Sequence, residues 1–259
     1  MADNELAHVK DDGRVRTIRF NRPERLNAIN AAMIDALYNA YRAAASDDAI
    51  HVVLMTGTGR GFTTGADLTD MKSSNDGEVE TFPEWAMERF DQLQALLEAY
   101  PKPLVAAVNG LAVGLGFTML GYCDFAFVAE SARLRTPFSQ LGLSPEASSS
   151  YTFPLRMGWA NAARALMLGD WFSAQDLVDA GLAQQVVSDD KLIEVADAFA
   201  ARLAQAPLQS LQATKRLMLT AHRGPLAEIR RLEAESLAAL VGTPANIAAV
   251  EAFAARKGK

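Results

Sequence analysis

An α/β core that gives way to a helical C-terminal third is predicted by three observations. Short β-rich runs are spaced through the first two thirds, amphipathic helix patterns lie between them, and helical periodicity becomes nearly continuous after about residue 155. The runs at 15–20, 52–56, 104–108 and 125–129 are each bounded by Gly, Asn or charged residues and read as core strands. Between them, residues 31–45 place Met33, Leu37, Tyr38 and Tyr41 on one helical face, and residues 84–99 do the same with Met87, Phe90, Leu93 and Leu97. Further helices are expected over 160–168, 173–180, 190–205, 208–222, 225–241 and 244–256. Ser173, Ser188 and Thr243 stand as caps, the last before Pro244 at a first helical position.

With 259 residues the chain can bury one sizeable core. Half of it is apolar and 22% is charged, a globular composition rather than a disordered or fibrous one. Its formal charge of -6, without a polybasic run, argues against nucleic acid as a partner. Cys123 is the single cysteine, so no intramolecular disulfide can form, and His8, His51 and His222 are too few and too scattered for a zinc-type cluster. This cysteine usage fits a reducing cytoplasm, and no basic segment followed by an apolar stretch is seen near the N-terminus to support secretion. Residues 103–123 carry no charge and would pass as a membrane span by hydropathy alone. Asn109 and the glycines at 110, 114, 116 and 121 divide them instead into a buried strand, a tight turn and a short helix, so no membrane partner is expected.

Glycine-rich turns after strands invite a search for phosphate cradles. Residues 57–61 lack the Gly-Lys-Ser/Thr ending of a P-loop, and after Gly114 and Gly116 a dinucleotide fingerprint would need glycine where Met119 stands. No Gly-x-Ser-x-Gly elbow is present either. Two turns are more specific: 62–68, containing Gly65, Ala66, Asp67 and Leu68, and 109–116, containing Gly114, Leu115 and Gly116. A strand that turns into a helix leaves backbone N–H groups free, and two such turns side by side could hold an oxyanion; close-packed turns that use glycine for shape are the plainer alternative. In the segment 136–150, Glu146 lies among small and apolar residues, where desolvation could raise its pKa and make it a base. Ser144, Pro145 and Glu146 equally describe an ordinary helix start, with cap, first position and acidic first turn.

Taken together, the segment Asn21-Arg22-Pro23-Glu24-Arg25-Leu26-Asn27-Ala28-Ile29, the Gly65-Ala66-Asp67-Leu68 turn, Pro101-Lys102-Pro103 before Val108-Asn109-Gly110, and Asp124 resemble the enoyl-CoA hydratase/isomerase (crotonase) superfamily over nearly the whole chain. The resemblance implies a spiral of ββα units as an acyl-CoA-binding catalytic core, placed at 1–195, and a C-terminal helical region at 196–259 that builds a homotrimer or hexamer. It also implies an acyl-CoA substrate whose thioester oxygen sits between the amides of Ala66 and Leu115. Contacts to the CoA are implied at Arg25, Leu26, Ala28, Ala66, Asp67, Leu68 and Leu115, with Lys215 or Lys257 as candidates for its phosphates. The family usually has glycine where Leu115 stands.

Hydratases of the family use two glutamates, and the matching positions here hold Thr118 and Phe138. The run from Thr136 to Pro154, with Ser144-Pro145-Glu146 at its centre, resembles instead the peroxisomal-type delta-3,delta-2-enoyl-CoA isomerases, in which the glutamate matching Glu146 is the base. The implied reaction moves a double bond from 3-enoyl-CoA to 2-trans-enoyl-CoA, with no metal or other cofactor beyond the CoA of the substrate. A hydratase and a non-catalytic acyl-CoA-binding protein are the alternatives.

Overall fold

The computed structural model describes residues 6–67 and 83–257, with side chains as far as residue 252. In chain order its elements are β1 (Ala7–Asp12), β2 (Val15–Phe20), α1 (Ala31–Ser46), β3 (Val52–Gly57), β4 (Gly61–Thr63), α2 (Glu84–Glu98), β5 (Leu104–Val108), β6 (Leu111–Val113) and α3 (Leu115–Thr118). There follow β7 (Phe125–Ala129), β8 (Arg133–Arg135), α4 (Ser149–Ala163), β9 (Phe172–Ser173), α5 (Ala174–Asp179) and β10 (Gln185–Val187). The chain ends in α6 (Leu192–Leu203), α7 (Leu208–Leu219), α8 (Arg223–Leu240) and α9 (Pro244–Lys257).

Two sheets turn the chain into a spiral. The larger runs β1-β2-β3-β5-β7-β10, parallel from β2 onward, and the smaller runs β4-β6-β8-β9. Each large-sheet strand of the middle of the chain is followed by a short strand in the small sheet, as the pairs β3/β4, β5/β6 and β7/β8 show. β3 and β5 are buried at every residue, which is why they read as unbroken apolar runs rather than alternating ones. Helix α1 buries Met33, Ile34, Leu37, Tyr41 and Ala44, and α6 lies on β3, β5 and β7, where Phe199 meets Phe125 and Phe127 at ring distances of 4.8 and 5.0 Å.

Two buried lysines tie the chain together. Lys102 donates to the carbonyls of Ala44 and Asp47, both at 2.7 Å, satisfying the C-terminal end of α1. Lys215, from α7, donates to the Lys102 carbonyl at 2.9 Å and pairs with Asp124 at 2.7 Å, while Asp124 also accepts the Leu104 amide at the start of β5. Burial lowers the pKa of both lysines, and for Lys215 the Asp124 carboxylate works the other way. Lys215 is 6% exposed and fully engaged in the fold, which removes it as a candidate for the CoA phosphates. The side chain of Lys257 lies outside the described residues.

The four predicted core strands fall where the sequence puts them, as do α1 and α2 to within a residue or so. Met87 does not face inward: it is 48% exposed, and α2 buries Ala86, Leu93, Gln94, Leu97 and Glu98 instead. Helix α4 begins at Ser149, well before the expected 160, and its geometry is interrupted at Gly158 (φ +75). Ser173 caps α5 through a reciprocal capping box with Asp176, whereas Ser188 caps nothing: its carbonyl accepts the Lys191 amide, and Lys191 stands at the cap of α6. A division of the chain at 195/196 would fall inside α6, whose Ala196 and Ala200 are buried in the main core. The uncharged stretch 103–123 forms β5, β6, α3 and a 3-10 turn, and among the described residues no helix is long and apolar enough to cross a membrane.

Candidate active site

The two glycine turns meet. Ile29 forms a parallel bridge with Ala66, donating to the Gly65 carbonyl at 2.8 Å and accepting the Asp67 amide at 3.0 Å. In that pairing the polar groups of Gly65 and Asp67 face Ile29, so the amide of Ala66 faces the other way. The second turn packs against Gly65. A Cβ added to Gly65 would sit 2.6 Å from the Val113 carbonyl oxygen and 3.1 Å from the Leu115 amide nitrogen. Leu115 opens α3 after Gly114, so its N–H is one of those a helix start leaves without an intrahelical partner. Gly116 is forced by packing, because a Cβ there would lie 2.1 Å from the Thr63 carbonyl oxygen. The glycines thus permit the close approach of the two turns, with Gly65, the residue before Ala66, set against the Leu115 amide.

The segment around Asn27 supports the first turn. Asn27, wholly buried, donates to the carbonyls of Thr58, Gly61 and Phe62 at 2.8–3.1 Å and accepts the Arg22 amide at 2.9 Å. Leu26 and Asn27 both take positive φ (51° and 58°), folding the chain so that the Leu26 carbonyl accepts the Thr64 amide and the Asn27 carbonyl accepts the Thr63 hydroxyl. Arg22 reaches across to the Ala28 carbonyl at 2.6 Å and the Asp67 carboxylate at 3.2 Å. Of the residues implied to touch CoA, Arg25 is exposed, Leu26 is half-buried, and Ala28 and Asp67 are buried beside the Ala66 turn. Leu68 lies outside the described residues.

Glu146 does not start a helix. It lies in irregular backbone, and α4 begins only at Ser149, with Ser148 at its N-cap position, so the ordinary-helix alternative is set aside. Its carboxylate accepts the Thr118 hydroxyl at 2.9 Å. Thr118 stands one turn after Leu115 in α3, so a single short helix presents an amide at one end and holds the glutamate from the other. Burial of the carboxyl, reinforced by the negative field of Glu233 and opposed by the Thr118 hydrogen bond, pushes the Glu146 pKa up to about 8. Thr118 was expected only as a lost acid; its working contact was missed because a pairing between residues 28 apart has no local signature. Phe138 is buried and contributes no titratable group.

Cys123, His51 and His222 are engaged elsewhere in the fold. Cys123 is buried with its pKa pushed up to about 12 by desolvation, which keeps it a neutral thiol. His51 contacts the carbonyls of Ala204 and Ala206 through Nδ1, and His222 contacts the Tyr151 hydroxyl at 2.9 Å.

Comparison with known proteins agrees with this architecture. A family profile described as enoyl-CoA hydratase/isomerase matches residues 10–257. The chain is 34% identical over 251 residues to "Enoyl-CoA delta isomerase 2" of Rattus norvegicus, covering 97% of this chain and 64% of that protein. It is 35% identical over 207 residues to "2,3-dehydroadipyl-CoA hydratase" of Escherichia coli (strain K12), covering 79% of this chain and 78% of the relative. A crystal structure of an enoyl-CoA hydratase/isomerase from Pseudoalteromonas atlantica T6c superposes with a TM-score of 0.87 at 32% identity, covering 97% of each chain. The chain thus spans just under two thirds of the rat isomerase, and both isomerase and hydratase names occur among its relatives. With a matching profile over nearly its whole length and the fold to go with it, this chain belongs to the enoyl-CoA hydratase/isomerase, or crotonase, superfamily.

Proposed function

We propose that this protein is an enoyl-CoA isomerase that converts 3-enoyl-CoA to 2-trans-enoyl-CoA, with Glu146 as its acid/base. The observation that carries the reading is the half-buried, desolvated carboxyl of Glu146, its pKa pushed up to about 8, held by Thr118 within one helical turn of the Leu115 amide. A base whose pKa lies near the working pH gives the best compromise between being ionised and being able to take a proton.

The mechanism follows from the parts. The thioester oxygen accepts hydrogen bonds from the amides of Ala66 and Leu115, which stabilise the negative charge that grows on it; one such donor is worth about 3 kcal/mol in comparable sites. The C2 proton of the 3-enoyl-CoA becomes acidic, and ionised Glu146 takes it. The electron pair delocalises through C3 and C4 into a dienolate, the neutral Glu146 returns a proton at C4, and the carboxylate is regenerated. One carboxyl serves both steps because both carbons present the same face of the substrate, and CoA enters and leaves as part of the thioester. Contacts to the CoA are assigned to the backbone around Arg25, Leu26, Ala28 and Ala66–Asp67, with Leu68 a further candidate.

A homotrimer or hexamer is part of the same reading. It is supported by large apolar side chains left exposed on a single chain, including Trp159 at 74% and Met167 at 66%, beside Leu217 at 71% and Met218 at 67% in the helical end. A hydratase is the second reading, favoured by the names of several relatives. The test is an assay of the purified protein with 3-enoyl-CoA and crotonyl-CoA in parallel. Conjugation of the first without hydration of the second supports the isomerase, hydration alone supports the lyase, and binding without turnover of either supports a non-catalytic member.

A further inference from the structure

The two residues after Glu146 adopt an unfavourable backbone. Ala147 (φ 59) and Ser148 (φ 53) are both in the left-handed region without being glycine, and both are wholly buried. Such a turn persists only where its surroundings over-determine it. Ser148 stands at the cap of α4 but makes no capping hydrogen bond of its own. The cap comes from 85 residues away: Glu233, on α8, accepts the Ser148 amide at 2.7 Å through one oxygen, and the Ser150 amide and hydroxyl at 2.8 and 2.5 Å through the other. A second carboxylate, Glu98 of α2, accepts the Ser148 hydroxyl at 2.6 Å and pairs with Arg230, which also binds Asp91. The Ser149 hydroxyl donates back to the Glu146 carbonyl at 2.6 Å, so the position of the glutamate is coupled directly to the capped turn.

We propose that Glu233 is a positioning residue for the base: from the C-terminal helical region it caps α4, fixes the left-handed Ala147–Ser148 turn, and thereby aims the Glu146 carboxyl at Thr118. The inference rests on Glu146 being the base. A carboxylate suits the task because it accepts three donors at once and lies at the positive end of a helix. The groups that share its surroundings are Glu98 and Asp91 on α2, Arg230 on its own helix, Tyr122 before β7, and Glu146 itself. Glu233 and Glu98 lie on separate helices, yet both close on Ser148, which makes the turn a junction between the core and the C-terminal region.

The test compares wild type with Glu233→Gln, which keeps an acceptor for Ser150 but turns an NH2 toward the Ser148 N–H. Misplacement of a reacting group by about 1 Å can cost about 10²-fold, so kcat should fall by that order while KM stays close to wild type. Independently of any substrate, the Glu146 carboxyl can be titrated by difference infrared spectroscopy, with Glu146→Gln subtracted to assign the band. Its midpoint, near 8 in wild type, should move up in Glu233→Asp, which keeps the negative charge but shortens the reach, because the misplaced carboxyl loses the Thr118 hydrogen bond that holds its pKa down. If Glu233→Gln does not fold, Glu233→Asp should still lower kcat with little change in KM. An unmoved Glu146 titration, or a loss of Tm alone with KM, kcat and pH profile intact, overturns the inference. Inactivity of wild type on 3-enoyl-CoA would refute the isomerase reading instead, and the infrared titration would still decide the role of Glu233.

Discussion

The two halves of the candidate site are built by different means. The amides of Ala66 and Leu115 are placed by backbone: a parallel bridge to Ile29, a glycine at φ +74, and a helix start that abuts it. The carboxyl of Glu146 is placed by side chains drawn from α3, α2 and α8, closing on a strained turn. A cradle made of backbone tolerates changes of side chain as long as no Cβ intrudes, whereas a base held by side chains depends on each of them. That contrast orders the expected effects of substitution.

The largest is Glu146→Gln. Positioned proton transfer contributes about 10²–10⁴-fold, so kcat for isomerisation should fall within that range while affinity for the CoA thioester is retained, as measured by steady-state kinetics and calorimetric titration. Next is Gly65→Ala, a cradle position where a side chain does matter. Its Cβ would press on the Val113 carbonyl and the Leu115 amide at positive φ, and loss of one oxyanion donor costs about 10²–10³-fold in kcat. Thr118→Val should come third. A hydrogen bond to a charged group is worth about 1.5–3 kcal/mol, so losing it should move the base pKa further up and cut activity at neutral pH by about ten- to hundredfold, with partial recovery in alkaline buffer. Leu115→Ala should have the smallest effect on kcat, since the amide survives; a change in preference among acyl chains would show what its side chain does.

Stability gives an independent reading of the same carboxyl. Its folded pKa, about 8, lies above the ordinary 4.5, so the folded state holds a proton that the unfolded state gives up between those values. The contribution of Glu146 to stability therefore declines as pH rises from 4.5 to about 8. Glu146→Gln should raise Tm relative to wild type at alkaline pH, with the difference vanishing in acid, as differential scanning calorimetry at two pH values would show. Equal Tm shifts at both would mean that the carboxyl is not desolvated in the folded protein.

Much of the frame was legible in the sequence because it is local. The core strands are apolar runs with clear boundaries, the Ser173 cap carries its own signature, and the glycines at 65, 114 and 116 mark turns that need them. The short strands β4, β6, β8 and β9 carry too few residues to show a period, and β1, exposed beyond Ala7, shows charge where a strand pattern would show alternation. Met87 was misplaced because the helical face of α2 includes Gln94 and Glu98, polar residues that tertiary contacts keep buried. At the site, Glu146 could be named from its neighbours and from family resemblance. Its partners Thr118 and Glu233 could not, being 28 and more than 80 residues away. Lys215 illustrates the reverse error, since nothing local distinguishes a buried lysine that answers Asp124 from one on the surface.

The most direct test of the central claim is the pH dependence of kcat/KM for conjugation of 3-enoyl-CoA by the wild-type protein. If the desolvated Glu146 carboxylate is the base, the rate should fall about tenfold per pH unit on the acid side of a single midpoint near 8. A rate that stays level down to the ordinary glutamate value of 4.5 would contradict it.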